Sequence, residues 1–266
     1  MKSYKYFIGV ALFSLSLTSC YDLELEPKGI LDESVLTAND NGIKKYLAGI
    51  YNDLPIEDFS FFMNEGYPDH NGNYWEANKN SISVASGEGL GRTDFDMGEN
   101  FEYWPYGRIR DVNVFLSAIE ASKDKYTEEQ YKEYLGEGHF LRAYYYFGLA
   151  KRYGGVPLID EVLDPTADPN TLQIARSTEY DTWKHIYDDL KFAMENASSD
   201  KTSKHRATRY TAAALMSRAM LYAGRIAKYG KYAAYNGAAS QAGLMGMSDA
   251  YAQEFFQYAY DACKFL

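Results

Sequence analysis

An all-α fold, with helices stacked in pairs and long loops inserted between them, follows from three features of the sequence. Apolar residues recur at three- and four-residue spacing in successive stretches, the period of a helix that buries one face. Ser, Thr or Asp caps and Gly or Pro stops bracket several of these stretches. No run of alternating apolar and polar residues reads as a strand.

Taken in order, the chain opens with Lys2 and Lys5 before an apolar run from Tyr6 to Leu17, shorter than the ~20 residues of a membrane span. Residues 1–19 read as a secretory signal, residues 20–36 as a tether, and 37–266 as the folded region. The first helix carries Ile43, Tyr46, Leu47, Ile50, Tyr51 and Leu54 on one stripe, with Thr37 or Asp40 as its cap. A second is predicted from about Trp104 to Ala121 through Ile109, Val112, Leu116 and Ile119, and Pro105 is tolerable because it lies in the first turn.

The central helix is the hub. Leu135, Gly138, Leu141, Tyr145 and Leu149 share a face, Thr127 and Gln130 have the spacing of a capping box, and Gly154 followed by Pro157 is a stop. Gly136 and Gly138 each cost about 1 kcal/mol relative to Ala inside a helix, so a neighbouring helix is expected to approach closely there. Thr178 with Asp181 opens a fourth helix bearing Tyr180, Trp183, Ile186, Tyr187, Leu190 and Met194. An Ala-rich fifth helix spans about Arg209 to Lys228. Ser248 caps a sixth, whose stripe of Tyr251, Phe255, Tyr258, Ala262 and Phe265 is still running at Leu266.

Removing the signal takes away two lysines and leaves 25 basic residues against 37 acidic, a formal charge of −12. Nucleic acid is thereby excluded as the expected partner, because phosphate binding needs a basic surface. With Cys20 assigned to the tether, Cys263 has no partner for an intrachain disulfide. The histidines His70, His139, His185 and His205 lack metal-ligand spacing, and no Gly-x-Ser-x-Gly or Gly-x-x-x-x-Gly-Lys stretch occurs. Neither catalysis nor a cofactor is expected. Asp94, Asp96 and Glu99 miss the calcium-loop pattern and read as a solvated acidic loop.

The stretch from Pro55 to Phe101 is too long for a plain connector. It mixes Phe59, Phe61, Phe62, Tyr67, Tyr74, Trp75 and Phe95 with Asn, Asp and Gly. Aromatic faces stack on sugar rings, while Asp69, Asn73, Glu76 and Asn78 supply groups that hydrogen-bond hydroxyls. A sugar site is one reading; aromatic anchoring of the loop onto the helices is the other.

Two resemblances sharpen this. Leu17, Thr18, Ser19 and Cys20 resemble the lipobox of bacterial lipoproteins, which implies a lipidated Cys20, and Asp22, Glu24 and Glu26 are similar to a surface-export signal. Glu137, Phe140, Leu141, Arg142, Ala143, Tyr146, Phe147 and Leu149, followed by Tyr153 to Leu158 (YGGVPL), resemble the signature helix and turn of the SusD/RagB family of outer-membrane nutrient-binding lipoproteins. Tyr106, Ile109 and Asn113, Thr178 to Leu190 and Thr211 to Tyr222 extend the match. The family implies tetratricopeptide-like helical repeats with long insertions, although no clean 34-residue period is present. It also implies glycan capture without bond cleavage, and delivery to a TonB-dependent, SusC-like outer-membrane transporter that the repeat-bearing side contacts. Within the long loop, Trp75 and Asn78 best match the ligands of starch-binding relatives, with Tyr74, Asn73 and Asp69 beside them. Family members are longer, and the unfinished last stripe reads as an N-terminal portion, incomplete at the C-terminus. A helical adaptor that binds only protein, or capture of peptide rather than glycan, are the rival expectations.

Overall fold

The computed structural model describes residues 40–54, 103–164, 166–202, 205–232 and 236–266. Among them every regular element is helical: α1 (Asp40–Asn52), α2 (Tyr106–Ala121), α3 (Glu128–Tyr153), α4 (Glu179–Asn196), α5 (Arg209–Tyr229), α6 (Ala238–Gln241) and α7 (Ala252–Phe265). Successive long helices pack on one another, α2 on α3, α3 on α4, α4 on α5 and α5 on α7, the nearest-neighbour stacking of a helical-repeat array. No described helix is long and apolar enough to cross a membrane.

Local chemistry explains most boundaries. The Thr127 side chain accepts from the Gln130 N–H and Gln130 reaches back to Thr127, completing the expected box at the start of α3. Thr178 accepts from the Asp181 N–H at α4, and Thr208 pairs with Thr211 at α5. Pro105 lies just outside α2 as its cap residue rather than inside the first turn. Ser248 caps a 3-10 turn, Asp249–Tyr251, that leads into α7, and the short α6 is an element the periodicity did not announce.

Nearly every side chain of α3 from Tyr134 to Ala150 is buried, so the helix is enclosed on more sides than its single stripe predicts. The cause is its position: α2 lies along one flank, α4 along another, and α1 is tied on by Tyr145, whose hydroxyl donates to the Ile50 carbonyl at 2.7 Å. Gly136 meets the end of α4 so closely that an added Cβ would lie 2.7 Å from Ala197 Cα. The close approach expected at this glycine is real. Gly154 ends α3 with φ 69°, and a Cβ there would also lie 2.6 Å from the Leu244 carbonyl. That carbonyl accepts from the Gly155 N–H, so the turn is clasped by the α6 loop.

The core is aromatic as well as aliphatic. Trp183, Tyr145, Tyr146, Phe115 and Phe255 are fully buried with Ile43, Leu47, Ile109 and Leu141. Buried tyrosines need partners for their hydroxyls, and those partners staple separate segments. Tyr146 accepts from the Ile159 N–H at 2.8 Å and Tyr106 donates to the Pro157 carbonyl at 2.7 Å, pinning the loop after α3.

Candidate functional site

The residues nominated from the sequence, Asp69, Asn73, Tyr74, Trp75 and Asn78 for ligand and Cys20 for lipid, lie outside the described residues. So do Asp94, Asp96 and Glu99. What the structure does define is the frame on which residues 55–102 are mounted. Leu54 packs against the core at one end. At the other, the Tyr103 N–H donates to the Tyr153 hydroxyl at 2.9 Å, and Arg152 lies over the Tyr103 ring.

Trp104 completes that second end. It is 55% exposed, yet its ring is fixed edge-on by Tyr153 at 5.2 Å and tilted against Tyr106 at 5.0 Å. A rigid, half-exposed indole is the kind of surface on which the apolar face of a sugar ring stacks. Sequence reasoning used Trp104 only as a helix boundary. The signal available was its place between the aromatic loop and Pro105, where a tryptophan is not needed to begin a helix.

Farther along, α3 and α4 are joined by buried charge. Arg142 on α3 sends Nε to Asp189 Oδ2 at 2.8 Å and Nη2 to Oδ1 at 2.7 Å, a two-point pair across α3 and α4 in which both side chains are almost wholly buried. Nη1 donates to Asn113 Oδ1 at 3.2 Å, and the Asn113 amide donates to the Ile159 carbonyl at 2.8 Å. His139 Nδ1 lies 2.6 Å from Asp189, and His185 Nε2 lies 3.3 Å from Asp160 and 3.6 Å from Asp189. Two histidines that are scattered along the chain thus converge on one carboxylate. Burial alone raises the Asp189 carboxyl, but the bonds from Arg142 and His139 outweigh it and hold the group well below the usual carboxylate range. A permanently ionised, fully engaged aspartate is a poor proton acceptor, so the cluster works as a structural lock rather than as a base. No group of three His, Cys, Asp or Glu side chains suited to a metal ion occurs among the described residues.

A second network locks α1. Tyr51 donates to Glu137 Oε1 at 2.6 Å and accepts from the Ala207 N–H at 2.8 Å. Arg206 pairs with both Glu137 oxygens. Burial and the neighbouring Glu137 push the Tyr51 hydroxyl far above its ordinary range, so it stays a donor at every physiological pH. Glu137 and Arg142, two residues of the signature helix, therefore each hold a different neighbour in place.

Open depressions are found among the described residues. One, of about 370 Å³, lies over the Arg142 cluster between α2, α3 and Asp160 to Val162. Another, of about 310 Å³, lies between α4, α5 and α7 and is walled by Tyr187, Met194, Met216, Tyr258 and Phe265. Tyr187 and Tyr258 stack on each other at 3.8 Å with Lys184 over both rings, so their faces are already engaged in packing.

Residues 24–221 match the model of a SusD-like family described as starch-binding and associating with the outer membrane. A curated relative, SusD-like protein P2 of Formosa agariphila, is 23% identical over 241 residues, which is 86% of this chain and 45% of that protein. Among solved structures, a SusD-like protein from Bacteroides fragilis is 29% identical, covering 73% of this chain and 37% of its own, with a TM-score of 0.50. B. fragilis NanU has the same fold over 91% of this chain and 44% of its own, with a TM-score of 0.56 at 17% identity. The chain spans less than half the length of each of these proteins.

Proposed function

Taking as premise that the chain belongs to the SusD-like family of starch-binding proteins that associate with the outer membrane, we propose that it captures a nutrient glycan at the cell surface and hands it to a TonB-dependent, SusC-like transporter. In this reading residues 1–19 are the cleaved signal, Cys20 carries the lipid, residues 20–36 are a tether, and 37–266 are the helical-repeat domain. No bond in the glycan is broken. Asp69, Asn73, Tyr74, Trp75 and Asn78 are assigned to the glycan, and Trp104, which follows that segment in sequence, is a further aromatic platform.

The observation that carries the proposal is the mounting of the loop. Tyr103, which follows the aromatic and amide-rich segment in sequence, is held by Tyr153, next to a half-exposed tryptophan whose ring is held by two tyrosines. The test is calorimetric titration with malto-oligosaccharides of wild type, Trp75→Ala and Trp104→Ala. Each aromatic contact is worth about 0.5–1.5 kcal/mol beyond area burial, so each variant is expected to bind about two- to twelvefold more weakly. Wild type without affinity for any neutral glycan, together with a large loss of stability in Trp75→Ala, overturns the proposal in favour of an adaptor whose aromatics are packing.

A further inference from the structure

The chain is strongly acidic, with a formal charge of −10, yet the solvent face of α5 is basic. Arg218, Arg225 and Lys228 are exposed there with Leu221, Tyr222 and Tyr229, and no acidic residue interrupts them. None of the three cations is paired with a carboxylate among the described residues. Asp249 is within electrostatic reach of Lys228, and Lys231 already engages it at 3.0 Å. Lys151 of α3 adds charge along the same flank, where Phe147 carries both Lys151 and the edge of Tyr222.

The arrangement is periodic. Arg218 with Tyr222, and Arg225 with Tyr229, are two copies of one Arg-x-x-x-Tyr pair displaced by seven residues. Seven residues are close to two turns, so both pairs share a face and stand roughly 10 Å apart along the axis. Each pair places a guanidinium one turn from a tyrosine ring that is about half exposed, 46% for Tyr222 and 56% for Tyr229. A guanidinium binds carboxylate or sulfate oxygens through parallel N–H donors, and a phenol ring takes the apolar face of a sugar. A repeated pair of this kind matches a polymer of repeated acidic units.

We propose that the outer face of α5 is a binding track for an acidic polysaccharide, with Arg218, Arg225 and Lys228 holding the anionic groups and Tyr222 and Tyr229 the rings. The track rests on the glycan-capture reading and names the ligand class that this face adds to it. None of its five residues is among those nominated in the long loop, and all five lie on one helix.

The experiment titrates the whole chain with oligogalacturonate and with malto-oligosaccharide of equal length. Oligogalacturonate is expected to bind wild type at least tenfold more tightly than the Arg218→Gln, Arg225→Gln double variant. Tyr229→Ala is expected to weaken it severalfold, and Arg225→Lys to keep only part of the affinity, since it retains the charge without the parallel donors. Raising NaCl from about 0.05 M to about 0.5 M is expected to weaken binding at least tenfold, because screening shortens the reach of exposed charges. Malto-oligosaccharide binding is expected to be unchanged by the double variant. Oligogalacturonate binding that survives the double variant, or that resists salt, overturns the track, as does its absence in wild type. A loss of acidic-glycan binding only in Trp75→Ala also overturns it. The neutral glycan separately judges the capture reading, so the two failures are distinguishable.

Discussion

Gly136→Ala sets two known effects against each other in the α3 helix. Replacing glycine by alanine in a helix interior gains up to about 1 kcal/mol from backbone entropy and helix propensity. At Gly136 that gain meets the end of α4: the new Cβ would lie 2.7 Å from Ala197 Cα and 2.9 Å from the Asn196 carbonyl carbon, with Ala197 N closer still. These are backbone atoms and have no rotamer to change, so relief requires α4 to shift against α3. Overpacking of that kind costs about 1–3 kcal/mol. The upper part of the range applies here, and the net expectation is a loss of about 1–2 kcal/mol. For a domain of this size each kcal/mol moves the melting temperature by about 2–4 °C, so the variant should melt about 2–8 °C below wild type. Gly49→Ala is the control, because it is also helical but has nothing within 4 Å of the added Cβ. It should raise the melting temperature by a few degrees. Thermal and denaturant unfolding of both variants measure the difference, and a Gly136→Ala protein as stable as Gly49→Ala would refute the close-packing argument.

Three further expectations follow, two from the structure and one from the proposed lipid anchor. Asp189→Asn leaves buried Arg142 with only the exposed Asp160, at 3.5 Å, as counter-charge, and breaking one side of a buried pair costs about 3–5 kcal/mol; a chain with both Arg142 and Asp189 made apolar should recover much of that in denaturant unfolding. Because the Asp189 carboxyl is depressed, the stability it contributes is present above its unfolded value of about 3.9 and is lost as pH falls through the lower folded value. Melting temperature measured below about pH 4 should therefore fall more steeply for wild type than for Asp189→Asn, with Glu179 opposing the trend weakly, since burial raises its carboxyl and the folded state holds that proton more tightly. Cys20→Ala should move the protein from the membrane fraction to the soluble one, and its retention there would remove the lipid anchor from the proposal.

Local signals were enough to locate the long helices. The Thr127 and Gln130 box, the Thr178 cap and the Gly154 stop are short-range hydrogen-bond and steric arrangements, and each stands where the spacing placed it. The family signature from Glu137 to Leu158 was likewise legible as a string of residues. Its physical meaning was not, since Glu137 and Arg142 find partners 69 and 47 residues away, and long-range pairing leaves no mark in helical periodicity. His139 and His185 look unrelated in sequence and meet only because α3 and α4 lie side by side with Asp189 between them. The exposed, clamped ring of Trp104 is a tertiary result for the same reason: its neighbours Tyr106 and Tyr153 belong to different helices. The sequence by itself determined the long helices, the Thr127 and Thr178 caps and the family, because those depend on neighbours within a turn or two. Only the tertiary structure decided which charges are buried, which aromatic faces remain open and that α5 turns a basic face to solvent, because burial depends on what packs against each helix.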